Sequence, residues 1–186
     1  GPLDNQLRDA LAFIRNYVIR EKIVKHTDKA EADRYVNYPY AAIEEALTNA
    51  VYHKSYQIPE PVTVTITPEY IEIISIPGPD ITISDENIAQ RKLVSKRYRN
   101  RRIGEFLKEL RLAEGRNTGI PTILRSLEQN GSGLPIFETD NARSYFRVVL
   151  PVHPVFSKQK QKTHDAEKGD VRKRKQRVSR KQLRDD

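Results

Sequence analysis

The chain of 186 residues contains no cysteine. A disulfide framework, a cysteine-ligated zinc and thiol catalysis are therefore excluded, and the absence points to an intracellular, cytoplasmic setting. No apolar run approaches the ~20 residues that a membrane helix needs, and no secretory h-region opens the chain, so no membrane partner is expected. Methionine is also absent, the start residue included. Gly1-Pro2-Leu3 resembles the scar left when a protease removes a purification tag. The chain thus reads as an excised fragment, with residues 1–3 set apart from the fold.

Charge is unevenly placed. The net charge is +8. Residues 157–186 hold 12 Lys and Arg against 5 Asp and Glu, which is +7, and residues 1–156 are left with about +1. The aliphatic side chains of this tail are Val171, Val178, Leu183 and Ala166. They are too few to offset the entropy of ordering, so the tail is expected to be disordered. Two readings of it stay open. It binds DNA nonspecifically, with Lys173, Arg174, Lys175 and Arg177 on phosphates, or it is a solvated interdomain linker.

Leu7, Leu11, Ile14, Val18 and Ile19 share one helical face and predict a helix over residues 4–24, capped by Asp4. Residues 26–37 are polar and read as a connecting loop. Pro39 opens a second helix that runs to about His53, with Ile43, Leu47, Ala50 and Val51 as its buried stripe and Ala46 beside them. Alternation predicts strands over residues 62–66 and 70–76, turned at Thr67-Pro68-Glu69 and stopped by Pro77-Gly78-Pro79. A short helix over 85–89 follows. Helices over 103–112, ended by Gly115, and over 120–129 come next. Two more strands, 136–139 and 145–150, turn at Asp140-Asn141, and Pro151 and Pro154 close the domain. Two hairpins with segregated helices predict an α+β fold, a two-layer sandwich whose mixed or antiparallel sheet carries its helices on one face.

Glu45 and Asn49 are four apart on a helix and so share a face. A carboxylate beside an amide oxygen suits Mg²⁺, which takes few protein ligands and keeps sites open for phosphate. Such a carboxylate also orients or deprotonates an attacking water. The plainer reading is an ordinary solvent-facing helix side. Gly78 sits in a tight turn after a strand, where backbone approaches a ligand closely. Gly115 and Gly119 lead into a helix, whose free N–H groups suit an anion. Residues 97–102 form a basic cluster in a nearly neutral domain, either a phosphate contact or a solvated loop face.

These features together resemble a known family. Glu45-x-x-x-Asn49-Ala50 resembles the first motif of the gyrase, histidine-kinase and MutL class of ATPases, the Bergerat or GHKL fold. Tyr38-Pro39, residues 42–56, 71–79, 99–107, 114–123 and 134–138 are similar, in order, to the C-terminal ATP-binding-type domain of RecG-related helicase or transcriptional-regulator proteins. The resemblance covers about residues 5–152. Those proteins carry an N-terminal Schlafen-like, AlbA-type DNA-binding domain. The resemblance implies that Asn49 holds Mg²⁺, that Glu45 is catalytic and activates water, that Gly78 lies near adenine, and that Gly115 and Gly119 flank a phosphate lid. His53, Arg99, Asn100 and Thr118 lie in the matched blocks and join the nucleotide-binding set. It also implies a division into residues 4–38, an N-terminal helix and connecting loop; 39–156, the ATP-binding-type domain; and 157–186, the basic tail. Residues 178–184 look like the opening of a helix that family members continue into a winged helix.

Two departures shape the expectation. Where the class places an Asp to accept from the adenine amino group, this chain has Ser75 or Ile76, and Ile76-Pro77-Gly78 also lacks the Asn of the family's Asn-Pro-Gly. No Gly-x-x-x-x-Gly-Lys-Ser/Thr loop exists in the chain, so helicase activity cannot reside here. The expected function is an ATP-binding module of a DNA-binding transcriptional regulator, with weak or no Mg²⁺-dependent ATPase activity. The alternative is a degenerate scaffold used for homodimerisation or interdomain contacts.

Overall fold

Two β-hairpins make one sheet, and the helix that carries Glu45 and Asn49 is fastened across it. The computed structural model describes residues 2–28, 30–94, 99–110 and 119–157. The elements are α1 (Leu3–Phe13), a π-helical turn (Ile14–Val18), β1 (Glu21–Val24), β2 (Asp33–Val36), α2 (Tyr40–His53), β3 (Thr63–Ile66), β4 (Tyr70–Ser75), α3 (Asp85–Ala89), α4 (Arg101–Glu109), α5 (Gly119–Asn130), β5 (Ile136–Glu138) and β6 (Phe146–Pro151). The chain divides into two compact units, residues 1–153 and 154–186. In the second, residues 154–157 form a helical turn. Among the described residues no helix is long and apolar enough to cross a membrane.

The four-stranded sheet has the order β3-β4-β6-β5, with every pair antiparallel. The fold class is therefore the α+β arrangement that the two hairpins predict. Ile71 pairs with Leu150 and Ile73 with Val148, and Phe137 pairs with Val148 from the other side. These five are buried and form the helix-facing side. Each aliphatic side chain so removed from water contributes about 1.5–3 kcal/mol. The opposite face is mixed, with Ile74, Ile136 and the buried Val149 among charged side chains. There Arg147 bridges two carboxylates, Glu72 through Nε and Glu138 at 2.7 Å.

α2 is the centre of the helix layer and packs on α1, α5, β4 and β6. Ala42, Ile43, Ala46, Leu47, Ala50 and Val51 are all buried. Pairs of neighbours repeating every four residues give it a wide apolar stripe. Both ends are tied to the sheet. At the head, the Tyr38 hydroxyl donates to the Thr67 carbonyl at 3.0 Å. At the tail, the Ser55 N–H donates to the Ile76 carbonyl at 2.8 Å. The helix is thus fixed against the turn that follows β4.

The N-terminal segment differs from the expectation. The helix predicted over residues 4–24 stops at Phe13, loosens into the π turn and becomes β1. The region read as a loop, residues 26–37, contains β2, which pairs with β1 from Glu21↔Val36 to Val24↔Asp33. The reason is tertiary. Asn37, buried at 8% exposure, accepts from the Arg20 N–H at 2.7 Å and donates to the Val18 carbonyl at 2.9 Å. It thereby satisfies the backbone at the point where the helix would otherwise continue. α4 begins two residues before the predicted Ile103 and reaches its C-cap at Leu110. Its predicted last residues and Gly115 lie outside the described residues.

Candidate functional site

On α2, the Asn49 side-chain nitrogen donates to Glu45 Oε1 at 3.1 Å. Both residues are half-buried, so this is not a freely solvated helix side. What covers them is the head of α5. A Cβ built on Gly119 would lie 2.5 Å from Glu45 Oε1 and 2.5 Å from Asn49 Nδ2. As these two side chains stand there is no room for a Cβ, and one placed there would push both aside. The contact puts the first N–H groups of α5, which have no partner within their own helix, beside a carboxylate and a carboxamide. With its nitrogen engaged by Glu45, Asn49 has its amide oxygen for a cation, and two oxygen donors on one face suit Mg²⁺ with its waters and phosphate. Among the described residues no group of three His, Cys, Asp or Glu could hold a metal ion by itself. A metal would need phosphate and water for the rest of its shell.

On the sheet side, Gly78 follows β4. Its N–H donates to the Arg143 carbonyl at 2.7 Å. A Cβ there would lie 2.6 Å from the Tyr145 carbonyl oxygen, 2.7 Å from Thr139 Oγ1 and 2.9 Å from the Arg143 carbonyl oxygen. The β5–β6 loop therefore clasps the turn. Arg143, at φ 54°, extends the clasp by donating from one terminal nitrogen to the Ile83 carbonyl at 2.9 Å and to Asp85 Oδ1 at 2.6 Å. Its other terminal nitrogen is buried with no partner among the described residues. Ser75, at the end of β4, is 2% exposed and continues the inward row of Ile71 and Ile73. The end of β4 thus offers a hydroxyl, followed by the apolar Ile76, but no carboxylate.

At the trailing end of α2 stand His53, Arg99 and Asn100. Arg99 donates to the His53 carbonyl at 2.5 Å. The Asn100 side-chain nitrogen donates to the Tyr52 and Lys54 carbonyls at 2.8 and 2.7 Å. The His53 ring lies against Tyr52, centroids 4.7 Å apart. Burial first, and then the Arg99 charge, push the His53 pKa down from 6.5 to about 4. The native imidazole is therefore neutral at pH 7 and resists protonation, while the unfolded chain takes a proton below about pH 6.5. Native stability is full above that value and falls as the pH drops toward 4, by up to about 3 kcal/mol from this group. Urea unfolding at pH 7 and pH 4.5 checks this: the loss on acidification should be clearly smaller in His53→Gln.

The structure brings Glu45, Asn49 and Gly119 together, gathers His53, Arg99 and Asn100 at the end of the same helix, and places Gly78 on the turn after β4. Gly115, Thr118, Lys173, Arg174, Lys175 and Arg177 lie outside the described residues. Two participants were not singled out from the sequence. Arg143 gives no local sign, because its role depends on a loop 65 residues away from Gly78. Gly104 does give one: a glycine inside a helix costs about 1 kcal/mol against alanine, so it calls for a packing reason. That reason is the Tyr52 ring, whose Oη would lie 2.5 Å from a Cβ at this position.

Residues 60–150 match the sequence family described as "Putative ATP-dependent DNA helicase recG C-terminal". The match takes in Gly78, Arg99, Asn100, Gly115, Thr118 and Gly119, and begins after α2. No curated protein matches the chain. Among solved structures, the crystal structure of the DIP2311 protein from Corynebacterium diphtheriae is similar, with a TM-score of 0.63 and 18% identity over 80% of this chain. At that identity the likeness is one of fold. The chain spans 28% of the length of that protein. Over residues 60–150 the chain thus resembles the RecG C-terminal, ATPase-like family.

Proposed function

We propose that residues 39–156 are a nucleotide-binding module that takes Mg-ATP between the Glu45–Asn49 face of α2 and the head of α5. The observation that carries this reading is the close contact of the Gly119 backbone with the Glu45 and Asn49 side chains. Three groups then serve one ligand. The N–H groups at the head of α5 meet phosphate oxygens. The Asn49 amide oxygen holds the metal, which when bound neutralises phosphate charge. Glu45, oriented by the Asn49 amide, receives a proton from an attacking water. Gly78 and its clasped turn form the wall on the base side.

Affinity is low, because neither Ser75 nor Ile76 supplies a carboxylate for the adenine amino group. A lost buried hydrogen bond costs on the order of 1–3 kcal/mol, or about tenfold to a hundredfold in affinity. Mg-ATP at millimolar concentration should raise the melting temperature, and Asn49→Ala should remove the metal-dependent part of the rise. An unchanged melting temperature favours the second reading, a scaffold that keeps the fold for homodimerisation or interdomain contacts. The absent carboxylate speaks for that reading.

Turnover is slow or absent. Phosphoryl transfer needs cationic charge around the transferred group. Of the two basic residues nearest the end of α2, Arg99 is engaged with the His53 carbonyl, and Lys54 donates to the Glu60 carbonyl at 2.6 Å. Phosphate release should stay near background and should not respond to Glu45→Gln. A robust rate abolished by Glu45→Gln would mean that the chain holds a complete catalytic site.

In the same proposal, the module belongs to a DNA-binding regulator, and DNA affinity in this chain resides in the basic residues 158–186. The +7 carried by residues 157–186, against about +1 for the rest, supports this placement. Truncation after Pro154 should remove most of the binding, and binding by the full chain should fall steeply with salt.

A further inference from the structure

From Asn87 to Gly104 the chain carries seven Lys and Arg and no Asp or Glu. Residues 1–156 total about +1, so this stretch is at +7 and the rest of that span at −6. Its last part opens α4. Arg99, Arg101 and Arg102 are exposed, and among the described residues none of them forms an ion pair with a carboxylate. Arg34, Arg143 and Arg147 differ, each meeting at least one carboxylate. The cluster is not a freely solvated loop. Arg99 donates to the His53 carbonyl, the Asn100 amide donates to the Tyr52 and Lys54 carbonyls, and Gly104 lies against the Tyr52 ring. The start of α4 is thus fastened on the end of α2, where Lys54 adds a further cation. His53, whose pKa burial first and then the Arg99 charge lower, already feels this field. Cations in a first turn oppose the helix macrodipole, and no acidic residue in that turn offsets them. The complement of such a fixed, uncompensated positive surface is a polyanion.

We propose that the start of α4 is a contact surface for the nucleic-acid backbone, with Arg101 and Arg102 on phosphate oxygens. It is a second contact, distinct from the basic tail, and it does not depend on the proposed Mg-ATP site. The planar guanidinium presents paired N–H donors that match two phosphate oxygens. Contacts of this kind read no base sequence; they add affinity and hold the domain against the backbone.

The test is binding of a short DNA duplex of arbitrary sequence to the full chain over a range of salt. One variant combines Arg101→Ser with Arg102→Ser. A control combines Lys25→Ser with Arg125→Ser, which removes the same charge from exposed positions after β1 and on α5. A third carries Lys173→Ser, Arg174→Ser, Lys175→Ser and Arg177→Ser in the tail. The α4 variant should lose about tenfold in affinity, and its salt slope should fall by about two, one for each phosphate contact removed. The control should lose clearly less of both. The tail variant should keep a residual, salt-dependent affinity. The melting temperature of the α4 variant should not fall, since neither arginine has an ion pair to lose. Affinity and slope equal to those of the control overturn the proposal. So does complete loss of binding in the tail variant with none in the α4 variant, which would leave the tail as the contact. An unaltered chain that binds no duplex, or binds vesicles of anionic phospholipid instead, overturns it as well.

Discussion

Gly78→Ala should destabilise the domain by about 3 kcal/mol, because overpacking against fixed atoms typically costs 1–3 kcal/mol and more where nothing can yield. Two of the three atoms that its Cβ would strike are the backbone oxygens of Tyr145 and Arg143. Tyr145 directly precedes β6, and Arg143 is held through its side chain by Ile83 and Asp85. The third atom, Thr139 Oγ1, donates to the Tyr145 carbonyl at 2.5 Å and cannot rotate away without leaving that bond. Relief requires the turn to back off from the loop, which stretches the bond from the Gly78 N–H to Arg143. For a chain of this size the loss should appear as a fall of roughly 6–12 °C in melting temperature. A thermal melt that stays within 2 °C of the unaltered protein, a margin of roughly 1 kcal/mol or less, would show that the clasp is loose.

Gly119→Ala should act on binding and hardly on folding. Here the Cβ meets Glu45 Oε1 and Asn49 Nδ2, the ends of two flexible side chains. They can swing aside, so the fold survives with a change of about 1 kcal/mol or less, partly offset by the better helix propensity of alanine. The swing ends the Asn49–Glu45 bond at 3.1 Å and separates the two oxygen donors. The Mg-ATP response should fall by about a hundredfold, since losing a metal donor and an oriented carboxylate each costs on the order of 1–2 kcal/mol. Calorimetric titration checks the affinity and a melt checks the fold. Equal affinity in the variant would place the nucleotide elsewhere.

These two glycines show what could be read before the structure. The β3–β4 hairpin and α2 are local. Their alternation, their fourfold apolar rows and the flanking prolines appear within short windows, and the structure follows them closely. The Glu45–Asn49 pair is legible for the same reason, since helical spacing alone places the two side chains together. Contacts between distant segments are not legible. Nothing in residues 14–24 announces that Asn37 will end the helix there, so the periodicity predicts helix where β1 forms and loop where its partner β2 lies. The pairing of β4 with β6 joins segments more than 70 residues apart. Arg99 and Asn100 illustrate a different limit. A guanidinium and a carboxamide donate to any oxygen, and sequence does not tell a phosphate oxygen from the carbonyls at the end of a helix.

The most direct test of the account is a titration of the isotopically labelled chain with ATP, with and without Mg²⁺, followed through its backbone amides. The account predicts Mg²⁺-dependent shifts at Glu45 to His53 on α2, at Gly78, and at Gly119 and Ile120, with the metal-dependent part absent in Asn49→Ala. Spectra and melting temperature that stay unchanged at millimolar Mg-ATP would contradict it and leave the domain as a scaffold that keeps the ATPase-like fold without its ligand.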